Sequence, residues 1–273
     1  MRGVLGRKVK DKCSGPGILA FICGQKKPLT SEPTHQPGLS ILVPAYNEEK
    51  TIVRILDLLF ETQLPDNLSK EVIVVNDCSN DKTGHLLDAY QAQHPNRPLK
   101  VRHLDRNQGK GHALRTGLAM ASLAYVVVQD ADLEYDPNEF ALLLGPLLSG
   151  RADAVYGSRF MGGNPHRILF FWHTIGNKFL TFLSNSLTNL NLTDMETCYK
   201  MIRTPLAQGL TLQENRFGFE PEITARLSQV PGIRIYEVGI SYYGRTYAEG
   251  KKINWKDGFR AIFCILKYNL WAR

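Results

Sequence analysis

The chain has 273 residues, 43% hydrophobic, 10% aromatic and 22% charged, a composition that can bury a core and excludes disordered, collagen-like and coiled-coil chains. Its 33 basic and 26 acidic residues give +7, unevenly spread: residues 1–36 and 245–273 each hold seven basic and two acidic groups, so each end is +5 and 37–244 is −3. A nucleic-acid binder would carry its charge on the folded body, so no nucleic-acid partner is expected. The distribution suits an anionic membrane surface or a phosphorylated substrate, or, for residues 1–36, a plain solvated tail.

The longest apolar runs, Leu123–Val128 and Ala261–Leu266, fall far short of the ~18 residues that span a bilayer. Cys13, Cys23, Cys78, Cys198 and Cys264 are widely spaced, without a CxxC pair or a His cluster, so neither a zinc site nor a disulfide framework follows. Ile18–Cys23 is too short for a signal-peptide core. These features predict a protein of a reducing, cytosol-facing compartment.

Residues 25–38 (QKKPLTSEPTHQPG) read as a linker. The organisation expected is a basic tail and Pro-rich linker over 1–37, one α/β domain over 38–250 and a basic amphipathic helix over 251–273. Strands are predicted at Leu39–Val43, Glu71–Val75, Leu99–Leu104, Ala124–Val128 and Ala152–Tyr156. Helical patterns lie between them, the clearest placing Ile52, Ile55, Leu56, Leu59 and Gln63 on one face. Such alternation implies a mostly parallel, Rossmann-like sheet with helices on both faces. Ligands of such sheets bind at the carboxyl ends of the strands, where this chain reads PAYNEE, NDCSNDKTG, DRNQGKG, QDADLEYDP and GSR in turn.

Asp130 and Asp132 are two apart after the fourth strand and can address one ion, with Glu134 two further on. Hard carboxylate oxygens suit Mg²⁺ or Mn²⁺ shared with a diphosphate; an acidic turn capping the following helix is the plainer alternative. An EF-hand counted from Asp130 fails, with Tyr135 at its sixth position and Ala141 at its twelfth. Leu114 stands where GxGxxG needs its last glycine, and no P-loop is present, which disfavours dinucleotide oxidoreductases and P-loop ATPases.

In order, ILVPAYNEE, VIVVNDCSND, NQGKG, QDADLEYDP, VYGSRF, LTDMETCYK, FGFEPEI and ISYYGRTYAEGKK resemble the family 2 glycosyltransferases of GT-A fold, and among them the dolichyl- and polyprenyl-phosphate mannose or glucose synthases. The resemblance covers about residues 38–255. It implies that Pro44, Tyr46 and Glu48 frame the nucleotide, that Asp77 contacts the base, and that Asp130, Asp132 and Glu134 form the metal site, Glu134 standing where many mannose synthases carry Gln. It further implies that Arg159, Arg245 and Lys251 or Lys252 hold donor diphosphate and acceptor phosphate, with Asp132, Arg159 and Arg245 as the catalytic set. Asp194 and Glu222 match acidic positions on the acceptor side.

The expected activity is an inverting transfer of mannose or glucose from GDP-mannose or UDP-glucose to a polyprenyl or dolichyl phosphate. A glycan or protein acceptor, or a non-catalytic nucleotide-sugar-binding protein, are the alternatives. Trp255, Phe259, Ile262, Phe263, Leu266 and Leu270 share one helical stripe beside Lys256, Arg260 and Lys267. That pattern predicts a helix lying on the cytosolic face of a membrane, or else one packed on the core or at a dimer interface; Ile168–Leu187 is a second apolar, aromatic stretch that could join it.

Overall fold

All five expected strands form, each within two residues of its predicted bounds or extended by a few: β1 (Gln36–Ala45), β2 (Ser69–Asn76), β3 (Leu99–His103), β4 (Leu123–Val128) and β5 (Ala154–Ser158). The computed structural model describes residues 35–162, 167–168, 170–245 and 255–272; the tail 1–34, Lys251, Lys252 and the side chains of Trp255 and Lys256 lie outside the described residues. Two further strands, β6 (Lys200–Arg203) and β7 (Ile235–Gly239), complete a seven-stranded sheet of order β3-β2-β1-β4-β6-β5-β7. β6 runs antiparallel to both neighbours, so the sheet is mostly rather than wholly parallel. Every residue from Leu39 to Val43 is buried, as is every residue from Val72 to Val75, which requires cover on both faces of the sheet. The helices supplying it are α1 (Ile52–Glu61), α2 (Thr83–Gln93), α3 (Lys110–Met120), α4 (Phe140–Leu148), α5 (Phe171–Thr188), α6 (Thr204–Gly209), α7 (Phe219–Ser228) and α8 (Trp255–Leu266).

Ile52, Ile55, Leu56 and Leu59 are the buried face of α1, as their spacing predicts, but the helix stops before Gln63. β6 escapes a hydrophobicity reading because it opens on Lys200, a lysine 2% exposed whose Nζ bonds the Thr197 carbonyl and lies 5.0 Å from the Tyr156 ring centre. No helix among the described residues is long and apolar enough to cross a membrane.

The C-terminal helix differs from its single predicted stripe. α8 packs against α5 and α7 and runs on into a wider turn over Lys267–Trp271. Ala261, Cys264, Ile265 and Tyr268 are its buried side, whereas Phe259, Phe263 and Leu270 are exposed. Apolar residues therefore occupy two sides of α8, and the aromatic one faces solvent. Arg260 and Lys267 are not free flanks either: Glu214, only 4% exposed, accepts bonds from Arg260 Nη2, Lys267 Nζ (3.2 Å) and Tyr268 Oη (2.8 Å). Burial pushes the Glu214 carboxyl up, but those three donors outweigh it and bring the group down to about 2.

Because the folded value lies below the ordinary carboxylate range, Glu214 stabilises the fold fully above about pH 4.5 and loses that contribution as pH falls towards about 2. Glu214→Gln is expected to lower stability at pH 7 by about 1.5–3 kcal/mol, the scale of hydrogen bonds to a charged group. In thermal melts the gap between wild type and variant should be constant above pH 5 and close on acidification.

Candidate active site

Parallel strands deliver their loops to one edge of the sheet, and hydrogen bonds join those loops. Asn80 N donates to Asn47 Oδ1 (2.8 Å), Glu48 N to Thr83 Oγ1 (2.9 Å) and Asn80 Nδ2 to the Tyr46 hydroxyl (3.3 Å). This places Tyr46 and Glu48 of the β1–α1 loop against the β2–α2 loop, with Pro44 half-buried at the end of β1. Asp77, 3% exposed, accepts from the main-chain amides of Gln108 (2.8 Å) and Gly109 (2.7 Å) and thereby holds the β3–α3 loop. A cavity of about 570 Å³ opens beside that loop, rimmed by Arg102, Arg106, Gln108 and His112.

The two glycines of NQGKG serve close approach rather than flexibility. A Cβ on Gly109, whose φ is +97°, would sit 2.4 Å from the Asn215 carbonyl, and one on Gly111 would sit 2.3 Å from that of Glu214. The start of α3 is thus pressed onto residues 214–216. Lys110, between the glycines, reaches Asp130 at 2.9 Å and Glu220 at 3.3 Å.

After β4 the chain turns sharply, with Leu133 in the left-handed region at φ +63°, a conformation that costs a leucine on the order of 1–3 kcal/mol. The turn directs Asp130 and Asp132 to the strand edge. Glu134 goes elsewhere: it accepts from the Tyr242 hydroxyl at 2.6 Å and from the Arg245 main chain at 2.9 Å. Among the described residues, no three acidic, histidine or cysteine side chains converge as a metal-ligand set; Asp130 and Asp132 stand at the strand edge, and Glu134 anchors the segment after β7. Arg245 closes over both, 2.8 Å from Asp132 and 3.2 Å from Glu134.

The electrostatics suit a cation. Burial and the nearby Asp130 and Glu134 carboxylates push Asp132 up to about 7 against the pull of Arg245. Burial also opposes ionisation of Asp130, but Lys110 holds its carboxyl below the usual range. A pair of hard oxygens this crowded, neutralised here by the chain's own Lys and Arg, fits a divalent ion.

Arg159, expected to hold phosphate, forms a two-pronged pair with Asp194: Nε to Oδ2 at 2.6 Å and Nη2 to Oδ1 at 2.8 Å. Asp194 is fully buried, so it serves as the internal counter-ion of Arg159. Burial alone would raise the Asp194 carboxyl, and the Arg159 guanidinium brings it below its usual value. Glu222 is also fully buried, and both its oxygens accept main-chain amides, from Gln213 and Glu214 at 2.8 Å each. In place of an acceptor contact, Glu222 orders the segment that leads into α7. Its neighbour in FGFEPEI, Glu220, is the one that faces Lys110 and Lys200. The resemblance pointed to Glu222 alone, and neither Glu220 nor Lys110 was expected at the site, because their pairing joins residues far apart in the chain.

The strand-end cleft thus holds a carboxylate pair under Lys and Arg counter-charges, and comparison with known proteins gives the chain its class. Residues 40–210 match the profile described as glycosyl transferase family 2, and the chain belongs to that family. An uncharacterized glycosyltransferase of Synechocystis sp. is 39% identical over 122 residues, 44% of this chain and 37% of that relative. The dodecaprenyl-phosphate galacturonate synthase of Rhizobium johnstonii is 24% identical over 245 residues, 89% of this chain and 70% of the relative. The fold is GT-A, shared with glucosyl-3-phosphoglycerate synthase of Mycobacterium tuberculosis, solved with Mn²⁺ and UDP (TM-score 0.65, 20% identity, 85% of this chain and 80% of that one).

Asp194→Asn should leave Arg159 half-buried with its charge uncompensated and lower stability by about 3 kcal/mol, the scale for breaking a buried ion pair. Denaturant unfolding of the variant against wild type measures this; a change below about 0.5 kcal/mol would show that the pair is not a structural tie.

Proposed function

We propose that this family 2 glycosyltransferase moves a hexose, mannose or glucose, with inversion from GDP-mannose or UDP-glucose to a polyprenyl or dolichyl phosphate. The observation that carries the reading is the division of the cleft into two poles: the Asp130–Asp132 pair under Lys110 and Arg245, and Arg159 braced by Asp194. One pole suits a metal-bound diphosphate and the other an anionic acceptor. The likeness to a dodecaprenyl-phosphate sugar synthase over 89% of this chain supports a lipid-phosphate acceptor. In this reading Pro44, Tyr46 and Glu48 frame the nucleotide, the last two lying against the β2–α2 loop, and Asp77 contacts the base.

In such a transfer an acceptor phosphate oxygen attacks the anomeric carbon while the bond to the nucleoside diphosphate breaks and the leaving group takes the electron pair. Asp130 and Asp132 would hold Mg²⁺ or Mn²⁺, which when bound neutralises charge on the departing diphosphate. Arg245 sits where it can exchange Asp132 for a phosphate oxygen, and its fork keeps two donors in fixed relation. Arg159, held rigid by Asp194, positions the acceptor phosphate. In this reading Lys251 or Lys252, outside the described residues, supplies further positive charge for phosphate. A phosphate acceptor is already ionised near neutral pH and needs no strong base.

The acceptor would be met at a membrane. α5 and α8 pack against each other, and both expose aromatic side chains, Trp172 at 78%, Phe182 at 70% and Phe259 at 66% among them. Exposed apolar groups of this size mark an interaction surface, which we read as one that docks peripherally on the cytosolic face.

Purified protein given labelled GDP-mannose or UDP-glucose, Mg²⁺ or Mn²⁺ and a polyprenyl phosphate should make lipid-extractable label. Asp130→Asn and Asp132→Asn should each abolish it with circular dichroism unchanged; ion-dependent turnover surviving both substitutions would remove the pair from the reaction. Wild type should also co-sediment with anionic vesicles, less so as salt screens the attraction. Paired changes Phe259→Glu with Phe263→Glu, or Trp172→Glu with Phe182→Glu, should release it while nucleotide binding persists. If these variants lose a dimer instead, the aromatic faces are a protein interface.

A further inference from the structure

Two arginines carry the phosphate contacts of the proposed reaction, and one tyrosine touches the attachments of both. Tyr242 stands just after β7 and is 4% exposed. Its hydroxyl donates to Glu134 Oε2 at 2.6 Å, and the other oxygen of that carboxylate accepts from Arg245 N at 2.9 Å and Arg245 Nε at 3.2 Å. The face of its ring lies against Arg159, whose guanidinium carbon is 5.2 Å from the ring centre. The Tyr135 ring meets the same ring edge to face, with centres 5.2 Å apart, and keeps it from turning.

Each contact restrains a different freedom. Asp194 grips Arg159 along one edge, through Nε and Nη2, and so fixes the guanidinium within its own plane. The aromatic face fixes that plane and attracts the cation through the ring quadrupole. At Arg245 the restraint is relayed: Glu134 holds the main-chain amide and Nε, and Tyr242 holds Glu134. A phenol is rigid from its ring to its oxygen, so the two restraints act as one. The arginine side chains themselves are not sealed in, with 13% of Arg159 and 21% of Arg245 exposed. Phenylalanine would fill the same core space, but it could not donate to Glu134.

We infer that Tyr242 is a positioning residue that fixes Arg159 and Arg245 relative to each other, and with them the acceptor phosphate and the departing diphosphate. This rests on the proposed function, from which both arginines take their roles. An inverting displacement needs the attacking and leaving groups in line, and a misplacement of about 1 Å can cost on the order of 10²-fold in rate. A single rigid side chain joined to both arginines meets that need.

The test compares wild type, Tyr242→Phe and Tyr242→Leu for calorimetric binding of UDP and GDP with Mn²⁺, and for the KM of nucleotide sugar and of polyprenyl phosphate. Tyr242→Phe keeps the ring and loses the hydroxyl. It should weaken diphosphate binding roughly 10-fold, the coupling scale within one hydrogen-bond network, and leave the acceptor KM unchanged. Tyr242→Leu also loses the ring and should in addition raise the acceptor KM roughly 10-fold, the scale of a desolvated cation–ring contact; Tyr242→Met replaces it if the leucine variant does not fold. In an Arg245→Ala background, Tyr242→Phe should weaken diphosphate binding no further. A Tyr242→Phe variant that only melts lower, with diphosphate binding and both KM values as in wild type, would make Tyr242 a packing residue and overturn the inference. So would an equal loss of diphosphate affinity with and without Arg245. Wild type that binds UDP or GDP with Mn²⁺ but transfers nothing to polyprenyl phosphate would overturn the acceptor reading, and the link through Arg159 with it.

Discussion

Carboxylates gathered at the end of a sheet repel one another and resist burial, so the cleft can exist only if cations are brought to meet them. Asp130, Asp132, Glu134, Asp194 and Glu220 all approach this edge, and each is met by Lys110, Arg159, Lys200 or Arg245. The cations come from the start of α3, the end of β5, the first residue of β6 and the segment after β7. Charge neutralisation at the site is therefore also a tie between the two halves of the chain. It explains a central strand that begins with a buried lysine, which side-chain hydrophobicity alone would never place there.

In the proposed function the same pairing readies the cleft for anionic ligands. A cation that holds a carboxylate in the free protein can be handed to a phosphate oxygen at small electrostatic cost, because one anion replaces another. Arg245 and Lys110 are placed for such an exchange, since Asp132 and Asp130 are half-buried at the edge. Arg159 differs: its partner is sealed inside, so the pair stays together and fixes the guanidinium. The left-handed Leu133, between Asp132 and Glu134, is a local strain at the point where Asp132 meets Arg245 and Glu134 turns to Tyr242.

Glu214 links this chemistry to the outer surface. Its side chain fastens α8, its main-chain amide is held by Glu222, and its carbonyl lies against Gly111 at the start of α3 and accepts from Arg115 in the middle of that helix. The helix that exposes Phe259 and Phe263 is thereby connected, through one residue, to the helix that presents Lys110. In the proposed reading, this junction holds the lipid-docking surface in register with the cleft that receives the lipid-linked phosphate.

The strand runs, the helix spacing of α1 and the polar strings after each strand were legible in the amino-acid sequence, because parallel strands buried on both faces are continuously apolar and their ends are where polar groups can reach a ligand. Those local patterns determined the α/β class, the edge that carries the site and the family. Partner choice was not legible, because it depends on residues far apart in the chain. Only the tertiary structure decided that Glu134 meets Tyr242 and Arg245, that Asp194 serves Arg159, that Glu220 rather than Glu222 faces the cleft, and that α8 buries Tyr268 while exposing Phe259. A carboxylate's role is set by what lies within about 3 Å of its oxygens and by how much water remains there, and neither quantity is written in the spacing of residues along one strand or helix.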